Sequence, residues 1–283
     1  MVTLIIMDGF GVRRSKYGNA VKLQGTPNLK KLKKQFPYTT ISASGHDVGL
    51  KSGQMGNSEV GHLNLGAGRV VFQDLSRIDN AIKDNSFFKN QVLVDSIEYA
   101  NNNNSTLHIM GLCSNGGVHS HINHLKALID LSQNLKCKDV VLHLFLDGRD
   151  THIDSGIGFV EEIDNYIQNK NVVIGSLCGR VYAMDRERRF DRIKMAYSML
   201  TTDEKGKVDY KQAFKNSYSK KVFDEFFLPT KLKDFKPIKD GDSVIFFNFR
   251  TDRAREITSA FTQSDFNQFE HISFIWRYFY EWN

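Results

Sequence analysis

Val140-Val-Leu-His-Leu-Phe-Leu146, followed at once by Asp147-Gly-Arg149-Asp150-Thr151, is the stretch on which the reading of the fold turns. The apolar run is too short for a typical helix and shows no polar alternation, which describes a strand buried on both faces. A polar glycine turn ends it. The same grammar recurs at Thr106–Cys113, Val172–Leu177 and Ser243–Phe247, each with glycine, arginine or asparagine just beyond. Helical periodicity fills the intervals over 89–100, 120–134, 155–168 and 189–200, and again over 252–262. Strands alternating with helices at this spacing predict a mostly parallel sheet joined by right-handed crossovers. The stretch between about 201 and 242 reads only as a polar connection.

Towards the N-terminus, Val2–Met7 predicts one more buried strand, ending in Asp8-Gly9-Phe10-Gly11. Ligands of open α/β sheets bind at the carboxyl ends of strands, which places Asp8 where chemistry occurs. Pro27 opens a predicted helix over 27–36. Glycines then crowd 45–68, and such a segment suits close backbone approach to a ligand.

The chain has 283 residues, 41% of them hydrophobic and 25% charged, with a net charge of +6. That composition excludes an extensively disordered, collagen-like or coiled-coil chain. The mild basic excess by itself suits a small anionic substrate as well as it suits nucleic acid. There is no basic helix or aromatic stacking platform of the kind nucleic-acid binding needs, so no nucleic-acid partner is expected. No apolar stretch approaches the length of a membrane span, and no signal peptide is evident. A cytoplasmic protein without a membrane partner is expected. The cysteines Cys113, Cys137 and Cys178 form no paired motif, and Cys113 and Cys178, which end apolar runs, read as buried free thiols.

Five clusters can carry chemistry. In Gly53-Gln-Met-Gly-Asn57-Ser58-Glu59, Asn57 or Ser58 reads first as a helix cap; the sharper reading, compatible with it, makes Ser58 a nucleophile needing a base or metal to activate it. His119 follows a Gly116-Gly117 turn and is placed to touch a substrate. Its neighbours His121 and His124 read as ordinary helix residues, since their spacing does not match helical zinc ligands. Arg149 and Asp150 read either as a solvated surface pair or as an anion-holding guanidinium beside a proton-moving carboxylate. Arg180 follows a strand and a glycine, with Arg186 nearby. Arg188 and Arg189 read as a solvated face. Arg250, Asp252 and Arg253 lie past another strand, the two arginines three apart and so facing one way on a forming helix. Arginines converging on one cleft describe a pocket for a small polyanion bearing phosphate and carboxylate.

The motifs MDGFG at 7–11, GLKSGQMGNSEVGHLNLGAGR at 49–69, GGVHSH at 116–121, LDGRDT at 146–151, GRVYAMDRERR at 179–189 and FNFRTDRAREI at 247–257 resemble the cofactor-independent (2,3-bisphosphoglycerate-independent) phosphoglycerate mutases of the alkaline phosphatase superfamily. The resemblance runs from the first residue to about Phe274. It implies an α/β fold in which an incomplete alkaline-phosphatase-like segment, 1–71, precedes an inserted α/β transferase domain, 72–274. It also implies interconversion of 3- and 2-phosphoglycerate through a phosphoserine at Ser58, without bisphosphoglycerate. Two divalent metals, manganese in the usual case, are implied, with Asp8 and Ser58 as ligands of one. Asp150 matches the acid/base. His119, Arg149, Asp150, Arg180, Arg186, Arg250, Asp252 and Arg253 match substrate contacts. A full-length member is expected to be a monomer.

The remaining metal ligands of the family, with a substrate-contacting lysine, fall in a C-terminal half that has no counterpart here. Phe274-Ile-Trp-Arg-Tyr-Phe-Tyr-Glu-Trp-Asn283 holds six aromatic residues and fits no pattern of the family. These features predict a C-terminally truncated mutase with an aberrant tail over 275–283 and little activity alone. Two alternatives stand beside it: a non-catalytic phosphoglycerate-binding fragment, and one half of a split enzyme.

Overall fold

The computed structural model describes residues 1–270 and 279–280. The chain divides into two compact units, Met1–Ser76 and Arg77–Asn283.

The second unit is built on one sheet. Its strands are β1 (Leu107–Leu112), β2 (Val140–Leu146), β3 (Val172–Gly179), β4 (Thr230–Lys231), β5 (Ser243–Phe246) and β6 (Phe279–Tyr280), in spatial order β4-β3-β2-β1-β5-β6. β2 pairs in parallel with β1 and β3, β5 with β1, and β6 with β5, while the short β4 is antiparallel to β3. Every residue of β1, β2 and β5 is buried. Cover on both faces is why these strands read as unbroken apolar runs.

The mostly parallel α/β architecture expected from the sequence is present, and its main boundaries fall within a few residues of expectation. The second unit's helices at the expected places are α5 (Gln91–Asn102), α6 (Ile122–Asn134), α7 (Gly156–Tyr166), α9 (Phe190–Thr201) and α11 (Arg255–Thr262). The four-residue α8 (Arg180–Ala183) follows β3 directly. The stretch 201–242, read as a plain connection, holds α10 (Tyr210–Tyr218), a 3-10 turn at Asp224–Phe226 and β4. Their polar composition and short lengths hid them. The helix expected over 252–262 begins as a 3-10 turn, Thr251–Arg253, before α11.

From β1 the chain winds one way through β2 to β3, and β5 then returns to the other side of β1. The β1/β5 junction is therefore a topological switch point, the place where open α/β sheets open a crevice for ligands. Side chains from β1, β2, β3 and β5 pack with α9 and α11 into a core that includes Leu112, Phe145, Ile193, Leu200, Phe246 and Ile257.

The first unit carries α1 (Ala20–Gln24), α2 (Pro27–Gln35), which begins at Pro27 as expected, and α3 (Ser58–Ala67). α4 (Asp74–Lys83) contains the boundary between the units. The strand expected at Val2–Met7 is absent: these residues form no ladder, and Leu4 and Ile5 are 74% and 81% exposed. A strand exists only against a partner that takes up its backbone hydrogen bonds, and no described residue pairs with 2–7. The unit's buried apolar cluster is small: Val48, Leu50 and Val60.

Two glycines of the motif serve the chain's own backbone. A Cβ on Gly56 would lie 1.7 Å from the Ala43 carbonyl oxygen, and one on Gly49 (φ +85°) would lie 2.2 Å from that of Val71. Gly61, Gly66 and Gly68 have open space around them.

The buried free thiols expected at Cys113 and Cys178 are found, and Cys137 is buried as well. Among the described residues no helix is long and apolar enough to cross a membrane. Of the aromatic tail, 279–280 form β6, and the rest lies outside the described residues.

Candidate functional site

The loops that leave β1, β2, β3 and β5 at their carboxyl ends build one polar cluster in the second unit. Its keystone is Asp147, the first residue after β2 and 1% exposed. Asp147 Oδ1 accepts backbone hydrogen bonds from Arg149 (3.3 Å) and Asp150 (3.0 Å), which closes the Asp-Gly turn in the manner of an Asx-turn. Ser114, past the end of β1, donates to Asp147 Oδ2 at 2.6 Å. Burial pushes the Asp147 carboxyl up. The Ser114 hydroxyl, the Asp150 amide and Arg180 outweigh it and hold the group below the ordinary carboxylate range.

Arg180 begins α8 directly after β3 and is 2% exposed. Its Nη1 reaches Asp147 Oδ1 at 2.7 Å and Asp150 Oδ2 at 2.6 Å. Burial alone would lower its pKa, but Asp150 and Asp147 together raise it above the ordinary guanidinium value. The charge is thus permanent, and a bound anion meets a cation already fixed in place.

His119, in the β1 loop, is 3% exposed. Its Nε2 lies 4.0 Å from Asp150 Oδ2 and its Nδ1 3.8 Å from Asp252 Oδ1. Burial, then the nearby Arg180, lowers its pKa to about 4 against the opposing pull of Asp252. His119 is neutral at neutral pH, and it offers a hydrogen bond rather than a charge. The Phe249 amide donates to the His119 carbonyl oxygen at 2.9 Å, which ties the β1 loop to the β5 loop. Asn248 completes that tie: its Oδ1 accepts from the Leu112 amide at 3.0 Å.

Asp252 stands between two guanidiniums, Arg186 Nη1 at 2.9 Å and Arg250 Nε at 3.1 Å. The Arg250 approach is too bent to be a hydrogen bond, and Asp252 Oδ1 lacks a well-aligned donor. Burial raises the Asp252 pKa, but Arg186, Arg250 and His119 prevail and lower it. Arg253 donates to the Met184 carbonyl oxygen at 3.1 Å. Burial lowers its pKa, and the positive charges of Arg180, Arg186 and Arg149 add to that. Their field at Arg253 shows that these cations crowd together. Arg149 is the most exposed of them and lies 3.6 Å from Glu225.

His119, Asp150, Arg180, Arg186, Arg250 and Asp252 are therefore brought together by direct approach, and Arg253 and Arg149 through the shared field. His119 Nδ1 and Arg180 Nε are buried without a hydrogen-bond partner among the described residues. Buried polar atoms are nearly always satisfied, and a ligand in this cluster would satisfy them. His121 and His124 take the structural roles expected: His121 caps α6, accepting from the Asn123 amide, and His124 meets Asp79 at 2.9 Å. Sequence reasoning missed Asp147, Ser114 and Asn248. The one available signal was an aspartate directly before glycine at a strand's end, a turn-forming pair.

In the first unit, the cap reading of the serine motif holds. Asn57 caps α3 by accepting from the Val60 amide at 3.0 Å, and Ser58 is the first helical residue. Ser58 Oγ donates to Asp8 Oδ2 at 2.7 Å and lies 3.1 Å from His62 Nδ1. Asp8 and Ser58 thus meet as two oxygen donors. A catalytic metal needs about three protein ligands, and no group of three or more His, Cys, Asp or Glu side chains suited to a metal occurs among the described residues. The described residues do not complete a metal site.

Residues 78–280 match the family model described as "BPG-independent PGAM N-terminus". The chain belongs to this family. The match extends past Phe274, where the motif-level resemblance stops. Proteins named 2,3-bisphosphoglycerate-independent phosphoglycerate mutase are similar over nearly the whole chain. That of Clostridium perfringens (strain 13 / Type A) is 48% identical, over 97% of this chain and 56% of its own length. That of Clostridium novyi (strain NT) is 49% identical, over 95% of this chain and 54% of its own. The chain spans about half the length of the curated relatives it matches. A crystal structure of Leishmania mexicana phosphoglycerate mutase, determined at low cobalt concentration, superposes with a TM-score of 0.70 at 33% identity, covering 93% of this chain and 51% of that one.

Proposed function

We propose that the chain is the phosphoglycerate-binding portion of a cytoplasmic phosphoglycerate mutase, in a reaction that interconverts 3- and 2-phosphoglycerate through a phosphoserine at Ser58. The observation that carries this reading is the cationic cluster at the switch point, with buried Arg180 fixed by two carboxylates, and with His119 Nδ1 and Arg180 Nε buried and without hydrogen-bond partners among the described residues. Arg186, Arg250, Arg253 and Arg149 supply charge for a ligand bearing both carboxylate and phosphate, which planar guanidiniums recognise in pairs. Neutral His119 supplies a hydrogen bond and adds no charge.

Asp150 is the group to exchange a proton with a glycerate hydroxyl. When phosphoryl leaves one oxygen, that oxygen takes up a proton. When the other oxygen attacks the phosphoserine, its proton must go to a base. Ser58 is the phosphoryl acceptor, and the Asp8 carboxylate holds its hydroxyl. Family members of full length are expected to use divalent metals, manganese in the usual case. The two-donor set at Asp8 and Ser58 favours binding without appreciable turnover in this chain by itself.

Calorimetry with 3-phosphoglycerate, beside a coupled assay for 2-phosphoglycerate with manganese added, tests both parts. Saturable metal-independent binding, abolished by Arg180→Ala in a folded variant, supports the site. Absence of binding to the wild-type chain overturns it. Robust conversion overturns the proposal of low turnover.

A further inference from the structure

The short turn Asp224–Phe226 lies in the segment that sequence reading passed over, and it abuts the glycines that lead into both halves of the Arg180–Asp150 pair. Three glycines abut it: one in the turn after β2, one at the start of α7 and one at the end of β3. A Cβ on Gly148 (φ +65°) would lie 2.8 Å from the Glu225 nitrogen and 2.9 Å from Asp224 Cβ. One on Gly179 would lie 2.4 Å from the Glu225 carbonyl oxygen, and one on Gly156 2.8 Å from an Asp224 carboxylate oxygen. Contacts this close to backbone leave no room for adjustment. Gly148 directly precedes Arg149 and Asp150, and Gly179 directly precedes Arg180. The Gly179 amide also donates to the Phe227 carbonyl oxygen at 2.7 Å.

Asp224 is fully buried and locks the turn in place. Its Oδ2 accepts from the Gly156 amide at the start of α7 at 2.6 Å, and its Oδ1 accepts from the Tyr218 hydroxyl at the end of α10. The Asp224 amide donates to the Ile153 carbonyl oxygen at 3.0 Å. Phe214 and Phe227 pack ring to ring beneath it, with centroids 5.1 Å apart.

We propose that this turn is the positioning element of the phosphoglycerate site, with Asp224 acting through the backbone of Gly148 and Gly179 to set the Arg180–Asp150 pair. The proposal rests on the functional reading above only for the identity of the ligand. Asp224 touches neither substrate nor the reacting atoms, so it is a positioning residue.

Its ionisation bears on this role. Burial raises the Asp224 carboxyl to about 6, against the hydrogen bonds from Tyr218 and Gly156, and the charges of Asp154, before α7, and Asp147, after β2, push the same way as burial. Ionised, the carboxylate accepts from both donors. Protonated, it no longer accepts both bonds as an anion: the proton lies on one oxygen, the Tyr218 hydroxyl must turn to accept it, and the lock loosens as pH falls through about 6. The buried charge is itself a burden on the fold, so removing the charge without changing shape should leave global stability intact while it loosens the site.

The experiment uses the full chain with Asp224→Asn and, as a milder second variant, Tyr218→Phe. Three quantities are read: the NMR signal of the Arg180 Nε–H, calorimetric affinity for 3-phosphoglycerate, and thermal midpoint at pH 8. For Asp224→Asn we expect a shifted or broadened Arg180 signal, affinity lower by about tenfold or more, and a thermal midpoint no lower than wild type. Tyr218→Phe should move the first two part-way. In the wild type the Arg180 signal should change with a midpoint near pH 6, and in Asp224→Asn it should not. An Arg180 signal identical to wild type in both variants overturns the proposal, as does a loss of affinity that merely follows a lowered thermal midpoint. If the wild-type chain binds no 3-phosphoglycerate, the functional reading fails. The Arg180 signal still decides the positioning role without ligand.

Discussion

Arg180 donates to Asp150 at 2.6 Å from a position only 2% exposed, and so a cation from the end of β3 is welded to a carboxylate from the end of β2 before any ligand arrives. Preorganised charge of this kind costs nothing to rearrange when an anion binds. It also means that the site and the fold share their most buried ion pairs, and several predictions turn on that overlap.

Replacing Asp147 with alanine removes one partner of Arg180 and leaves the Ser114 hydroxyl and the Asp150 amide without their acceptor. Breaking a buried pair by removing one member typically costs about 3–5 kcal/mol. The expected result is a thermal midpoint lower by roughly 6–20 °C, at about 2–4 °C per kcal/mol for a domain of this size, measured by calorimetric or circular-dichroism melting. An unchanged midpoint would show that Asp147 is not the keystone of the loop.

His119 should titrate near pH 4 in an NMR titration of its ring, far below an ordinary histidine. Its folded pKa is depressed, so between about 4 and 6.5 the unfolded chain binds the extra proton. Stability from this residue is therefore complete above about 6.5 and is lost as pH falls towards 4, a swing of up to about 3 kcal/mol. His119→Gln should flatten the stability profile across that window. A ring that titrates near 6.5 would contradict the buried, Arg180-facing geometry.

Asp252 occupies two guanidiniums that a ligand would use. Asp252→Asn removes its charge from between Arg186 and Arg250, whose side chains are 45% and 50% exposed. A simple anion such as sulfate should then bind several-fold tighter at low ionic strength, consistent with the ~1 kcal/mol scale of exposed pairs, and the gain should fade with added salt. Affinity that is unchanged or weaker at low salt would show that Asp252 does not compete with anions for these arginines.

The parallel sheet was legible because its strands are buried on both faces, so Val140–Leu146 announces itself with no help from the rest of the chain. The arginine cluster was legible for a related reason, since each member sits just past the end of such a strand. Asp147 and Asp224 were not. Their importance lies in what they accept hydrogen bonds from, and three of Asp224's neighbours are glycines distant in sequence. The run Val2–Met7 misled for the opposite reason. Its composition records a preference for burial in a sheet, but a strand also needs a partner, and none of the described residues pairs with it.

A polar chain runs through the sheet itself. Asp242, just before β5, meets His108 Nε2 of β1 at 3.2 Å. His108 Nδ1 lies 2.9 Å from His143 Nε2 of β2, and His143 Nδ1 lies 2.8 Å from the Ser176 hydroxyl of β3. Both rings are fully buried between strands that are otherwise apolar. Burial, with His108 beside it, holds the His143 pKa well below the ordinary value. His143 is therefore neutral, and the stability it supports is present above the unfolded-state pKa and lost as acid forces a proton onto it. His143→Ala strands the His108 and Ser176 partners, each at a cost of about 1–3 kcal/mol. The variant should unfold at lower urea concentration at pH 7, and the gap to wild type should narrow as pH drops from 6.5 towards 4. Urea midpoints measured across that range check it. A gap that stayed constant with pH would mean that His143 contributes packing alone and that its protonation plays no part in acid unfolding.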